Sequence, residues 1–156
     1  MYLMIILPNA LYRIFINFSI HNLTVGNLYV MVINVDLKGF EEFSKYTRAI
    51  DSRGPPVFFY FSGSKLPDGN SWCPDCVEAE PVVRHYLSEL DKSIIFVYVD
   101  VGDREYWKDK ECPFRTDSRS KLMVIPTLIK WKGVQRLEGS QCSNRELLQM
   151  LFEEED

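Results

Sequence analysis

The sequence predicts an α/β domain, a mixed central β-sheet with helices on both faces. Three observations predict it. Short apolar runs rich in β-branched and aromatic residues recur at Val30–Val35, Val57–Phe61, Ile94–Val99 and just after Pro126. Stretches of helical period separate them. The middle runs are almost continuously apolar, the pattern of strands covered on both faces. Strands that alternate with helices imply parallel neighbours joined by crossovers, and a closing pair can be a hairpin. The 156 residues suffice for one domain with a real core.

In chain order, Val30–Val35 is the first strand candidate and Gly39 closes its connection. Phe40, Phe43 and Ala49-Ile50 recur at helical spacing and predict a helix over residues 40–51. Arg53-Gly54-Pro55-Pro56 is a turn, and Val57–Phe61 a buried strand. Ser62–Ser71, rich in Gly, Ser, Pro and Asp, is a loop leading to Trp72. A second helix is predicted over Cys73–Leu90, kinked at Pro81, with Val77, Val82, Val83 and Leu87 facing the sheet. Glu78, Arg84 and Glu89 read as its solvated face and His85 as a surface or packing residue. Ile94–Val99 is another buried strand. Asp100–Lys121 is long and charged, with a short helix expected within it. A strand then follows Pro126, Lys132-Gly133 turns the chain, and Gln135–Glu138 returns antiparallel. Ser143-Asn144-Arg145-Glu146 fits a capping box ahead of a last amphipathic helix carrying Leu147, Leu148, Leu151 and Phe152. The order from residue 31 is β-α-β-α-β-α-β-β-α.

Residues 1–30 read differently. Arg13 is their only charge, and the apolar run Tyr2–Leu7 is too short to span a bilayer. A secretory signal would carry a basic n-region, which is missing. Asn17-Phe-Ser19 and Asn22-Leu-Thr24 match glycosylation acceptors, a pattern frequent by chance. The domain is expected over residues 31–156, with 1–30 an extension of uncertain status and a signal or anchor the rival reading. The acidic end Glu153–Asp156 reads as a solvated tail.

The chemistry concentrates in Ser71-Trp72-Cys73-Pro74-Asp75-Cys76. Two cysteines three positions apart, with Pro74 suited to a first helical turn, place a thiol at a helix N-terminus. The unpaired N–H groups and partial positive charge there stabilise a thiolate and lower its pKa. Cys73 is then the attacking thiol, expected at a solvent-facing tip, and Cys76 the resolving thiol one turn in. Half a zinc site is an alternative, but it needs two more ligands, and Cys112, Cys142, His21 and His85 stand alone. A structural Cys73–Cys76 disulfide is another, of little entropic benefit in so short a loop. The net charge of −4 is mild, and no basic stripe suggests a nucleic-acid partner. Four cysteines without a paired framework favour a reducing compartment. Cys112 and Cys142 read as plain thiols; Cys112, in an exposed-looking loop, is a candidate for regulatory oxidation.

Taken together, Trp72-Cys73-Pro74-Asp75-Cys76 between strand and helix, Ile125-Pro126-Thr127 ahead of a later strand and the element order resemble the thioredoxin-like family. Within it, Gly39–Phe43, Phe61–Lys65, Glu80–Arg84, Tyr106–Asp109, Pro126–Leu128 and Met150–Phe152 resemble a branch of small thioredoxin-related proteins, over Met31–Asp156 but not 1–30. The resemblance implies a thioredoxin fold and a cytoplasmic disulfide reductase, recharged by thioredoxin reductase and NADPH, with no bound cofactor and no metal. It implies cystine, peroxides and a restricted set of protein disulfides as substrates, and a monomer. Tumour-necrosis-factor signalling and binding to dynein light chain are associated with the family. Trp72, Pro74, Ile125 and Pro126 become site support: Pro126 is implied to be a cis-proline beside the sulfurs, and the Ile125 backbone to pair with an incoming chain. The rival functions are a non-catalytic scaffold on the same fold and, were 1–30 a signal, a secretory oxidase or isomerase.

One departure stands out. Thioredoxins carry a buried Asp in the strand before the motif, and Phe59 aligns with it here. Asp75 is a candidate substitute for tuning the thiols; its bland role is to favour the helix N-terminus by ~0.3–1 kcal/mol. Its charge should raise the pKa of Cys73 while the helix end lowers it, and the sequence leaves the balance open. The loop Gly63–Ser71 and the segment Tyr106–Asp109 are expected to flank the cysteines and restrict docking.

Overall fold

A computed structural model describes residues 2–3, 16–19 and 31–153. The apolar run beyond Leu3, Arg13, His21, the acceptor at Asn22 and the tail beyond Glu153 lie outside them. The elements are β1 (Tyr2–Leu3), β2 (Ile16–Ser19), β3 (Val32–Lys38), α1 (Gly39–Ala49), β4 (Val57–Ser62), α2 (Pro74–Glu89), β5 (Ile94–Asp100), α3 (Arg104–Lys108), α4 (Pro113–Thr116), β6 (Thr127–Lys130), β7 (Arg136–Glu138), a 3₁₀ turn (Gly139–Ser143) and α5 (Arg145–Glu153). Among the described residues one mixed sheet runs β1-β2-β3-β5-β4-β6-β7. β5 pairs in parallel with β3 and β4, and β6 runs antiparallel to β4 and β7. The β2 strand of the upstream segment pairs antiparallel with β3, Phe18 opposite Ile33.

β3 extends past the predicted end because it pairs with β5 all the way from Val32 to Lys38. Its last residues alternate, with Val35 and Leu37 buried and Asp36 and Lys38 exposed, so the two charges point outward without ending the strand. Gly39 then starts α1 at φ +75°, a conformation a side chain would strain. β4 is buried at every position and splits its side chains between two layers. Phe59 and Phe61 meet Phe43 of α1 and Phe114 of α4 on one face. Phe58 and Tyr60 meet α2 and α5 on the other. The phenylalanine contacts of Phe43 and Phe114 are edge-on or tilted at 5.3–6.0 Å, each worth about 0.5–1.5 kcal/mol beyond the area it buries.

α2 runs through Pro81 as a single element. Its buried stripe is Cys76, Ala79, Val83, Tyr86 and Leu87, the i, i+3, i+7 rows of one face. Val77 lies one residue off that stripe and is exposed, contrary to the inward placement expected of it. The segment 100–121 holds two short helices rather than one. Asp103 caps α3 by accepting from the Tyr106 N–H at 2.8 Å, and Arg115 of α4 stacks on the Trp107 ring at 4.4 Å. The capping box expected at Ser143 does not form. Ser143 ends the 3₁₀ turn, and Asn144 caps α5 instead, its Oδ1 accepting from the N–H groups of Glu146 and Leu147. His85 is exposed, 3.7 Å from Glu89.

Candidate active site: a dithiol at the start of helix α2

The site is built from the loop upward. Asp100, at the end of β5, accepts from the Ser64 hydroxyl at 2.6 Å and the Gly102 N–H at 2.8 Å. Ser64 N–H and the Trp72 indole N–H both donate to the Gly102 carbonyl, at 3.0 and 2.9 Å. The indole lies flat on Gly63, where an added Cβ would stand 2.6 Å from the ring, so only glycine lets Trp72 seat there. Ser71 donates to the Gly63 carbonyl at 2.9 Å and accepts from the Cys73 N–H at 3.2 Å. Loop 63–71 and Gly102, in the connection from β5 to α3, therefore meet around Trp72 beside the motif. Ser71 opens the motif and Ser64 lies within Phe61–Lys65, but the hydrogen bonds these two and Asp100 make were not legible in the sequence.

Cys73 is the N-cap of α2, and its sulfur accepts from the Cys76 N–H at 3.3 Å. Its S–H donates to the Ile125 carbonyl at 3.6 Å. The Ile125–Pro126 peptide is cis. This arrangement corrects the expected solvent-facing tip: Cys73 is only 5% exposed and Cys76 fully buried, because the Ile125–Pro126 segment and Trp72 close over the helix end. Pro74 and Asp75 form the exposed shoulder. All four cysteines are free thiols.

The Cys73 thiol is lowered to about 7. The largest cause is the hydrogen bond from the Cys76 thiol, and burial opposes it; the N–H groups of Cys76 and Asp75 help, and the Asp75 charge raises it. The helix end thus outweighs the carboxylate. Cys76 shifts strongly upward, first because its proton is held by Cys73 and then because it is buried, while the Gly63 N–H and the Ser62 hydroxyl pull it down. Two thiols one turn apart are thus driven in opposite directions, Cys73 down and Cys76 up.

Phe59, expected at the position of the buried Asp of thioredoxins, faces the α1 layer against Phe43 and Trp131. The ionisable residue of β4 that interacts with Cys76 is its neighbour Tyr60. Cys112 is 2% exposed at the start of α4 and not in an open loop, so its candidacy for surface oxidation falls away. Cys142 is fully buried, donates to the carbonyls of Leu137 and Pro126 at 3.4 and 3.8 Å, and is pushed up to about 12 by burial. Among the described residues no three His, Cys, Asp or Glu side chains gather to hold a metal. Nor is any helix among them long and apolar enough to cross a membrane.

A mixed sheet with a cysteine pair opening the helix after its central strand, facing a proline-led strand, defines a thioredoxin-like domain. Residues 36–154 match the family model for the thioredoxin domain of thioredoxin domain-containing protein 17-like proteins, and the chain belongs to that family. It is 45% identical over 121 residues to thioredoxin domain-containing protein 17 of Mus musculus and 44% over 122 residues to that of Homo sapiens, each match covering 78% of this chain and 95% of the relative. It is also 42% identical to the thioredoxin-like protein Clot of Arabidopsis thaliana, over 58% of this chain and 71% of the relative.

Proposed function

We propose that the protein is a thiol–disulfide oxidoreductase that works as a cytoplasmic disulfide reductase. The observation that carries this reading is the Cys73 sulfur at the N-terminus of α2, with its pKa brought to about 7 beside a protonated Cys76. A thiolate available near neutral pH is the nucleophile of disulfide exchange. The Cys73 thiolate attacks one sulfur of the substrate disulfide and the other sulfur leaves as a thiolate. Cys76 then attacks the Cys73 sulfur, releasing the second substrate thiolate and leaving a Cys73–Cys76 disulfide. Thioredoxin reductase, drawing two electrons from NADPH, returns the pair to dithiol, and no cofactor is bound by this chain.

Trp72 and the Ile125–Pro126 segment bound the approach to Cys73 and orient the incoming disulfide. Leu66, Val77, Tyr106, Met123 and Val124 leave apolar surface exposed; loop 63–71 and α3 limit which protein disulfides reach the sulfur, so small disulfides such as cystine are favoured substrates. The cytoplasmic placement rests on four unpaired cysteines, and the chain acts as a monomer.

The test is NADPH consumption with thioredoxin reductase and cystine, comparing the chain with Cys73→Ser. Turnover by the parent that falls to background in the variant is the expected result. A parent with reduced thiols that supports no turnover overturns the reductase reading, and a variant that keeps the parent's turnover overturns the role of Cys73.

A further inference from the structure

The Ile125 carbonyl accepts the Cys73 S–H at 3.6 Å, and it does so from an irregular segment between α4 and β6. That segment is fixed at both ends. Upstream, the Leu122 N–H donates to the Phe114 carbonyl at 2.9 Å. The Arg136 guanidinium donates to the carbonyls of Ser120 and Lys121, at 2.7 and 3.1 Å. Downstream, the Pro126 carbonyl accepts from the Gly139 N–H at 2.8 Å and more distantly from Cys142. Between the two ends Met123 and Val124 lie at the surface, 65% and 43% exposed. One side chain reaches back across this arch. Thr127, fully buried at the start of β6, donates its hydroxyl to the Val124 carbonyl at 2.8 Å.

That bond spans Ile125 and Pro126. The carbonyls before and after Ile125 are both engaged by the domain itself, one by Thr127 and the other by Gly139, and the Ile125 carbonyl between them meets the sulfur. Packing alone does not call for a hydroxyl here. Thr127 pairs in register with Phe61 of β4 and Glu138 of β7, a place that valine would fill with nearly the same shape and a high strand preference. Nor does the Val124 carbonyl require it, since backbone at a surface residue can bond to water.

Resting on the dithiol reading above, we propose that Thr127 is a positioning residue for the attacking thiol: its hydroxyl fixes the Val124–Ile125 peptide so that the Ile125 carbonyl meets Cys73 and holds the thiol proton. A carbonyl that accepts from the S–H favours the thiol over the thiolate. Thr127 thereby helps set the pH at which Cys73 becomes a nucleophile, acting through Ile125, and no bond is made or broken at Thr127 itself. The titratable groups about Cys73 are Cys76 and Asp75 of α2, with Cys112 in the same apolar layer. Residues 122–127 contribute none. Tyr60 and Tyr98 belong to the opposite layer, Glu138 lies opposite Thr127 on β7, and Cys142 stands behind Pro126. None of these groups changes in the variants below, so a shift reports the carbonyl.

The test is iodoacetamide alkylation of Cys73 in the reduced full chain against pH, read by peptide mapping. In Thr127→Val the midpoint is expected to fall by roughly half a pH unit, as losing one hydrogen bond to the protonated sulfur requires. Thr127→Ser keeps the hydroxyl and should return the midpoint to the parent's. Thr127→Ala should show the same fall as Thr127→Val, and it decides the matter if the valine variant does not fold. A midpoint that stays or rises in either variant overturns the proposal, because the hydroxyl then only seats β6. A fall shared by Thr127→Ser also overturns it, since the lost methyl group would be the cause. A parent whose Cys73 shows no midpoint near neutral pH sinks the dithiol reading instead.

Discussion

Cys73 and Cys142 sit on opposite sides of one peptide segment. The first donates to the Ile125 carbonyl and the second to the Pro126 carbonyl, and both are almost wholly buried. Their thiols nevertheless move apart, to about 7 and about 12. Burial acts on both and raises both. The difference lies in the donors that reach each sulfur. Cys73 caps a helix and receives the Cys76 thiol and N–H groups of the first turn. Cys142, inside a 3₁₀ turn, faces carbonyls and one backbone N–H, that of Leu128. A buried cysteine is made reactive where preorganised donors converge on it, here first the Cys76 thiol and then the N–H groups of the first turn, and left inert where they are few.

The comparison breaks most visibly in Cys76→Ser. With the resolving thiol gone, Cys73 should still attack, and a stable mixed disulfide should accumulate to one equivalent per chain by mass spectrometry, while multiple turnover stops. Release of the substrate at the parent's rate would show that Cys76 is not the resolving group. Next in size is the rate of alkylation of the native reduced protein against pH. Cys73 is protonated below its pKa and thiolate above it, so its labelling should rise through a midpoint near 7. Cys142 should stay unlabelled across pH 6–9 until the protein is unfolded, which peptide mapping of the labelled sites can read.

Cys142→Ala should cost stability without touching the chemistry. Removing a fully packed sulfur typically loses about 1–2 kcal/mol, visible in the urea midpoint, with the Cys73 alkylation profile unmoved. A shifted profile would mean that the two thiols communicate through the Ile125–Pro126 segment. The smallest effect belongs to Asp75→Asn. The carboxylate raises the Cys73 thiol, so removing its charge favours the thiolate. The alkylation midpoint should fall by roughly half a pH unit or less, the size of a solvent-screened charge near a thiol. A midpoint that rises instead would show that the charge of Asp75 does not set the Cys73 thiol.

The layer contacts show how unevenly the site was written into the chain. Helix α2, its Pro74 start and the strands on either side followed from apolar period and from the motif, because those signals are local. Val77 was placed on the wrong face, since one residue rotates a helical side chain by about 100° and only the sheet fixes which stripe turns inward. Ser143 lost the cap to Asn144 for a similar reason: either side chain suits the role, and the preceding 3₁₀ turn decided between them.

By itself the sequence determined the fold class, the family and the identity of the two thiols, because strand and helix period, Trp72, the cysteine spacing and Pro126 are each legible over a few residues. Tertiary structure alone decided the chemistry those thiols face. It closed the Ile125–Pro126 segment over Cys73 and buried Cys112, which looked open. It turned Phe59 to the α1 layer, and it packed Tyr60 and Tyr98 from two strands in the other layer with Ala79 and Val83 of helix α2. Protonation depends on what surrounds a sulfur in three dimensions, and those neighbours come from segments tens of residues apart.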